Sequence, residues 1–169
     1  NLTVGGVTGV GSITDDDAVS ISSVSSETQN EGTDLVHTVS LSGSSVNAET
    51  FGFSIAGSGV DAATLGTDFN GTPVFSAGVT YNAVANTIEV AAGVSTFTVS
   101  VASTQDPNVE NDETYTLTVG GLTATGTIEN DDALSIDSIS AAAEDEGAGL
   151  VHTVTLSGTS VAAETFGFS

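Results

Sequence analysis

The sequence predicts an all-β chain, an antiparallel β-sandwich organised in tandem repeats of 115 residues. Three observations carry this. Residues 1–54 align without a gap on residues 116–169, a shift of 115, and 34 of the 54 paired positions are identical. Short stretches alternate apolar and polar side chains with period 2, and none sustains a 3.6-residue period. Gly is frequent (20) and Pro scarce (2), which suits many short strands joined by glycine turns.

The repeat sets the domain division. LTVGGVTGVGSITDDDAVSI at 2–21 matches LTVGGLTATGTIENDDALSI at 117–136, and EGTDLVHTVSLSGSSVNAETFGFS at 31–54 matches EGAGLVHTVTLSGTSVAAETFGFS at 146–169. A period of this length is a whole domain, because units of about 100–150 residues fold alone. Residues 18–132 are then one complete unit. Residues 1–17 are the closing strand of the unit before it, and 133–169 are the opening strands of the unit after it. The expectation is a window of roughly one and a half units from a longer array or fibre.

The strands follow in order. Leu35, His37, Val39 and Leu41 alternate, as do Phe51, Phe53 and Ile55, and Phe97, Val99 and Val101. Tyr115, Leu117 and Val119 continue through Gly120-Gly121 into Leu122, Ala124, Gly126 and Ile128, a hairpin signal. Asn70-Gly71 is a second turn signal and predicts a type I′ loop, since both residues tolerate positive φ. Seven or more short strands with apolar inner faces and Ser/Thr outer faces imply a sandwich.

Composition removes whole classes of function. The chain has no Lys or Arg, 22 Asp plus Glu and two His, for a net charge of −22. Nucleic-acid binding and attachment to anionic membranes both require basic side chains. Cys is absent, so disulfides and thiolate metal sites play no part. No apolar run is long enough to insert in a membrane. Clustered carboxylates without Lys or Arg must be protonated, solvated or bound to a cation.

The acids gather in segments that read as loops: Gln29–Gly32, Gly66–Asp68, Asp106–Glu113 and Glu129–Asp132. Brought together at one end of a sandwich, such loops repel one another. A hard divalent cation resolves the conflict, because Ca2+ takes six to eight oxygen ligands. Nitrogen and sulfur donors are nearly absent, which argues against zinc or copper. The plainer alternative is that the acidic loops serve solubility alone.

Glu31-Gly32 before a strand, Leu65-Gly66-Thr67-Asp68-Phe69, Ala92-Gly93, Asp106…Glu110-Asn111-Asp112-Glu113-Thr114-Tyr115 and the closing Thr127-Ile128…Asp131-Asp132 together resemble a Calx-beta domain. This is a calcium-binding, immunoglobulin-like sandwich first named for sodium–calcium exchangers. The version here resembles those found in tandem in giant RTX-type bacterial adhesins. The resemblance spans the whole chain and rests on five motifs in order. It implies Ca2+ ligands at Glu31, Asp68, Asp106, Glu110, Glu113, Asn130, Asp131 and Asp132. Asp15, Asp16, Asp17 and Glu146 match ligand positions of the neighbouring units. Two departures remove charge: Asn130 stands where the other copy has Asp15, and Pro107 follows a single Asp106.

His37 and His152 share an LVHTV context at the strand phase of their Leu and Val neighbours, which predicts packed or edge histidines rather than ligands or bases. The serines lie on solvent faces with no nucleophile elbow, and Asp112-Glu113 has no aromatic sugar platform beside it, so no catalysis is expected. The expected role is mechanical: an extender repeat of a large secreted adhesin or matrix protein at the bacterial surface, stiffened by calcium. Its partners are then neighbouring repeats of the same chain, or identical subunits in a fibre. Two alternatives stay open, a subunit of a self-assembling extracellular filament joined by strand exchange and a calcium-sensing or ligand-binding module.

Overall fold

Period-2 alternation is what the chain obeys. In the computed structural model, which describes residues 1–13 and 18–169, the regular elements are strands and no helix occurs among the described residues. They are β1 (Leu2–Val4), β2 (Val7–Gly9), β3 (Ile21–Val24), β4 (Glu27–Asn30), β5 (Leu35–Leu41), β6 (Glu49–Gly57) and β7 (Val74–Phe75). There follow β8 (Val79–Asn82), β9 (Thr87–Val90), β10 (Thr96–Val101), β11 (Glu113–Val119), β12 (Leu122–Glu129), β13 (Ile136–Ile139) and β14 (Val154–Leu156).

Two sheets form the body, one in the order β3-β5-β10-β7 and the other β4-β12-β11-β6-β9-β8. Leu35, His37, Val39 and Leu41 of β5 and Phe97, Val99 and Val101 of β10 turn one face inward. Tyr115, Leu117 and Val119 of β11, Phe53 of β6 and Ile88 and Val90 of β9 meet them from the other sheet. Each large apolar side chain withdrawn from water in this way contributes about 1.5–3 kcal/mol. Phe53 of β6 packs edge-on against Phe75 of β7 at 5.2 Å, an aromatic contact between the two layers. The result is a β-sandwich-like, all-β fold whose buried apolar side chains lie between Ile21 and Ile128.

Among the described residues the strand pairs are antiparallel with one exception. β4 runs parallel to β12, with Gly126 beside Glu27 and Glu129 beside Asn30. The opening strand divides at Ser25-Ser26: its first half pairs with β5 in one sheet, and its second half crosses to the edge of the other. Because the chain keeps its direction across that step, β4 meets β12 running the same way. The expected antiparallel sandwich thus holds but for this one strand pair.

The Gly120-Gly121 turn adopts φ of 57° and 88°, as a type I′ hairpin requires. Asn70-Gly71 does not form the expected hairpin, since neither residue has positive φ. Asn70 Oδ1 instead accepts the Thr72 N–H at 2.9 Å, and the Asn70 N–H reaches the Ala102 carbonyl. The loop is anchored to the segment after β10, so its asparagine works as a side-chain acceptor.

Two small hairpins complete the chain. β1–β2 pairs Leu2 with Gly9 and Val4 with Val7, the register of Leu117 with Ala124 and Val119 with Leu122 in β11–β12. β13–β14 pairs Ile136 with Leu156 and carries an irregularity by Ser138, as β3–β5 pairs Ile21 with Leu41 and carries one by Ser23. Both outer hairpins expose apolar residues, among them Leu2, Val7, Ile139 and Val154.

Candidate metal centre

The parallel run of β4 and β12 brings two acidic segments to one end of the body. Beyond Asn30, the Glu31 N–H donates to the Glu129 carbonyl at 3.1 Å, so Glu31 lies where residues 130–132 leave β12. Gly32, at φ 70°, lets the chain reverse into β5. The third segment is the turn at Thr64–Phe69. The Asp68 N–H donates to the Thr64 carbonyl, the Gly66 N–H to the Phe69 carbonyl, and the Phe69 ring stacks on Tyr115 with centroids 5.1 Å apart. That buried ring holds Asp68 in place, with only 8% of it exposed. The fourth segment joins β10 to β11. It carries Asp106, whose Oδ1 accepts the Asn108 N–H at 2.8 Å, then Glu110, and then Glu113 at the start of β11.

Six carboxylates converge there as two triads. Oxygens of Glu31, Asp106 and Asp132 lie within 4.8 Å of one another, and so do those of Asp68, Glu110 and Glu113. Burial pushes Glu31 up to about 7, helped by the charges of Asp106 and Asp132. Burial also raises Glu113 to about 8, followed by its hydrogen bond to Asp68 and the charges of Asp68, Glu110 and Glu31. Glu110 is raised by burial and then by Asp106 and Asp68. Glu31 feels Glu110 and Glu113 feels Glu31, so the two triads act as one electrostatic unit.

These groups suit a hard cation. All donors are oxygens, and Glu31 Oε2 is buried with no hydrogen-bond partner among the described residues. An acceptor withdrawn from water and left unpaired is costly unless a proton or a cation meets it. Glu31, Asp106 and Asp132 could hold one ion, and Asp68, Glu110 and Glu113 a second. Such a site neutralises charge and fixes four chain segments relative to one another.

The remaining sequence candidates take other positions. Asn130 stands beside the triads as a bracket: its Oδ1 accepts the Glu110 N–H at 3.1 Å and its Nδ2 donates to the Asp132 carbonyl at 3.2 Å. Asp131 faces amide donors, accepting from Asn30 Nδ2 at 3.2 Å and Gln105 Nε2 at 3.3 Å. Glu146 is exposed in the loop between β13 and β14 and belongs to neither triad. Asp15, Asp16 and Asp17 lie outside the described residues.

Sequence reasoning missed Gln105 and named Asn130 as a ligand alone. Gln105 donates to Asp131, Asp132 and the Asp106 carbonyl, and Asn130 N–H to Asp112 Oδ1. In a chain without Lys or Arg, amides and hydroxyls are left to donate to carboxylates: serines face Asp34 and Glu27, and amides face the acids at and beside the triads. The enrichment of amides around the acids, in Gln29-Asn30, Gln105 and Asn130, was the available signal.

A scan of the sequence against protein-family models finds no match, and a search of the curated proteins finds none.

Proposed function

We propose that this chain is a calcium-binding structural repeat, a Calx-beta-like extender of a large secreted protein of the bacterial surface or matrix. Its 115-residue units are read as tandem domains. The observation that carries this reading is the convergence of six carboxylates, one with an orphaned buried oxygen, in a chain with no basic side chain other than two histidines. Glu31, Asp106, Asp132, Asp68, Glu110 and Glu113 hold Ca2+, and Asn130 positions the Glu110 segment. The carboxylates serve ion binding rather than proton transfer to a substrate. A cation bound only by the folded loops stabilises them by RT ln(1 + [L]/Kd), about 2.7 kcal/mol at a hundredfold excess over Kd. Stiff repeats would then project an adhesive module or build a fibre.

The test is thermal melting of the full chain with a chelator and after restoring Ca2+ or Mg2+. A loss on chelation, rescued far better by Ca2+, supports the reading. Equal curves in all three conditions would leave the acids as a solvated rim and sink it.

The exposed apolar faces of β1–β2 and β13–β14 favour a second reading, a subunit of a self-assembling filament. Fibres of the isolated chain in electron micrographs would support it, and a strict monomer at high concentration would exclude it.

A further inference from the structure

The segment that carries Asp106 and Glu110 also grips another part of the chain. The Val109 N–H donates to the Thr159 carbonyl at 2.8 Å and the Val161 N–H returns to the Val109 carbonyl at 3.0 Å, a parallel bridge between Val109 and Ser160. Asn108 Oδ1 accepts both the Thr159 N–H, at 3.2 Å, and the Thr159 hydroxyl, at 2.6 Å. Gly158 lies directly against the Pro107 carbonyl, where any Cβ would collide with it. The Pro107–Val109 loop is thus a plug, and Gly158–Val161 its socket.

The sequence contains that socket twice. Ser157-Gly158-Thr159-Ser160-Val161 corresponds, 115 residues earlier, to Ser42-Gly43-Ser44-Ser45-Val46. The backbone turn is the same in both: Ser45 Oγ accepts the Asn47 N–H at 3.0 Å, and Ser160 Oγ accepts the Ala162 N–H at 3.2 Å. The three backbone groups that the plug uses at Thr159 and Val161 correspond to Ser44 N–H, Ser44 C=O and Val46 N–H. None of these three has a partner among the described residues. Ser44 is exposed, Val46 is 81% exposed, and nothing lies within 4 Å of a Cβ built at Gly43.

We infer that Gly43–Val46 is a docking socket, and that its occupant is the Pro-Asn-Val loop of another copy of this repeat. The inference rests on the tandem-repeat reading above but not on calcium. Plug and socket lie on different loops of one unit, so the contact is heterologous and propagates head to tail without closing. Orientation between units is then set by backbone hydrogen bonds and a glycine-only close approach, and not by linker length alone.

The test uses the full chain at about 1 mM, followed by amide NMR and sedimentation, with Ca2+ and separately with a chelator. Gly158→Val blocks the internal socket and frees the plug for Gly43–Val46 of a second molecule. Unchanged signals from β11 confirm that the body is intact, and Gly158→Ala is the milder substitute if they change. The expected result is concentration-dependent shifts at Ser44 and Val46 with oligomer growth, both absent from the wild-type chain. Adding Gly43→Val should abolish that association, because the collision that blocks the internal socket is then repeated at the second one. No association of Gly158→Val in either condition, or equal association of the double variant, overturns the inference. The calcium reading stands or falls separately, on the melting curves.

Discussion

His37 and Tyr115 join the two sheets through the middle of the core: Nε2 of His37 lies 2.8 Å from the Tyr115 hydroxyl, and neither residue is exposed to solvent. The other ring nitrogen, Nδ1, lies 2.7 Å from the Ser25 carbonyl, which can only accept. Nδ1 therefore donates to that carbonyl, and Nε2 faces the tyrosine hydroxyl, which donates to it when the ring is neutral. Ser25 is where the opening strand crosses between sheets, so a single imidazole ties that crossing to the β11 strand leading away from the acidic end. His152 repeats half of the arrangement, with Nδ1 2.7 Å from the Ser140 carbonyl.

Tyr115→Phe removes the donor and leaves Nε2 of His37 as a buried acceptor without a partner. The expected loss is about 1–3 kcal/mol in urea unfolding, the range for an orphaned buried polar group. Tyr81→Phe, on a half-buried tyrosine with no such partner among the described residues, should stay within about 0.5 kcal/mol of wild type. Equal midpoints for the two variants would show that the His37–Tyr115 bond contributes nothing.

Gly126 is required by the same tyrosine. A Cβ at this position would run into the Tyr115 ring, which is itself buried and stacked on Phe69. Gly126→Ala is expected to destabilise by about 3 kcal/mol, the upper end for overpacking a filled core. Gly121→Ala meets no such neighbour, so its loss should come only from strain at φ 88°. Comparing the two by chemical denaturation separates collision from backbone strain, and the reverse order of losses would contradict the collision.

These residues show what was legible in the sequence. Leu35–Leu41 and Phe97–Val101 could be placed because period 2 reports burial directly, and His37 could be placed inward by its phase alone. The partner of His37 could not, since pairing Leu35–Leu41 across to Tyr115 is decided by sheet order, 78 residues away along the chain. Gly126 read as an inward strand position, but nothing local marks that a tyrosine ring replaces its side chain. At the acidic end, charge marked out the loops that carry Asp68, Glu110 and Glu113, and the Calx-beta resemblance, not local spacing, implied these three as ligands. The bracket role of Asn130 was hidden because an amide and a carboxylate look alike as oxygen donors, and only its contacts with Glu110 and Asp132 tell them apart.

The metal-free chain should be less stable in alkali than in mild acid. Glu31 titrates at about 7 and Glu113 at about 8 in the folded protein, against 4.5 when exposed. Between those limits the folded state holds more protons than the unfolded one, so stability falls as pH rises. The contribution is complete below 4.5 and is lost through about 7 and 8. In chelator, the melting temperature should drop from about pH 5 to about pH 8.5, and Glu113→Gln should flatten the slope. A flat or rising profile would contradict the raised carboxyls.

On the calcium-binding proposal, Asn130→Asp should move the metal-free and calcium-loaded chains in opposite directions. Its Oδ1 can still accept the Glu110 N–H, but the donor to the Asp132 carbonyl disappears and a negative charge joins six carboxylates. Without metal, the lost hydrogen bond destabilises by about 1 kcal/mol, and repulsion from the triads adds to it. With metal, affinity rises with the charge of the donor set, so the same substitution should tighten Ca2+ binding. The measurement is the gap between melting temperatures in Ca2+ and in chelator, which should widen relative to wild type. If both temperatures fall together with the gap unchanged, Asn130 serves packing alone and the triads do not respond to charge at its position.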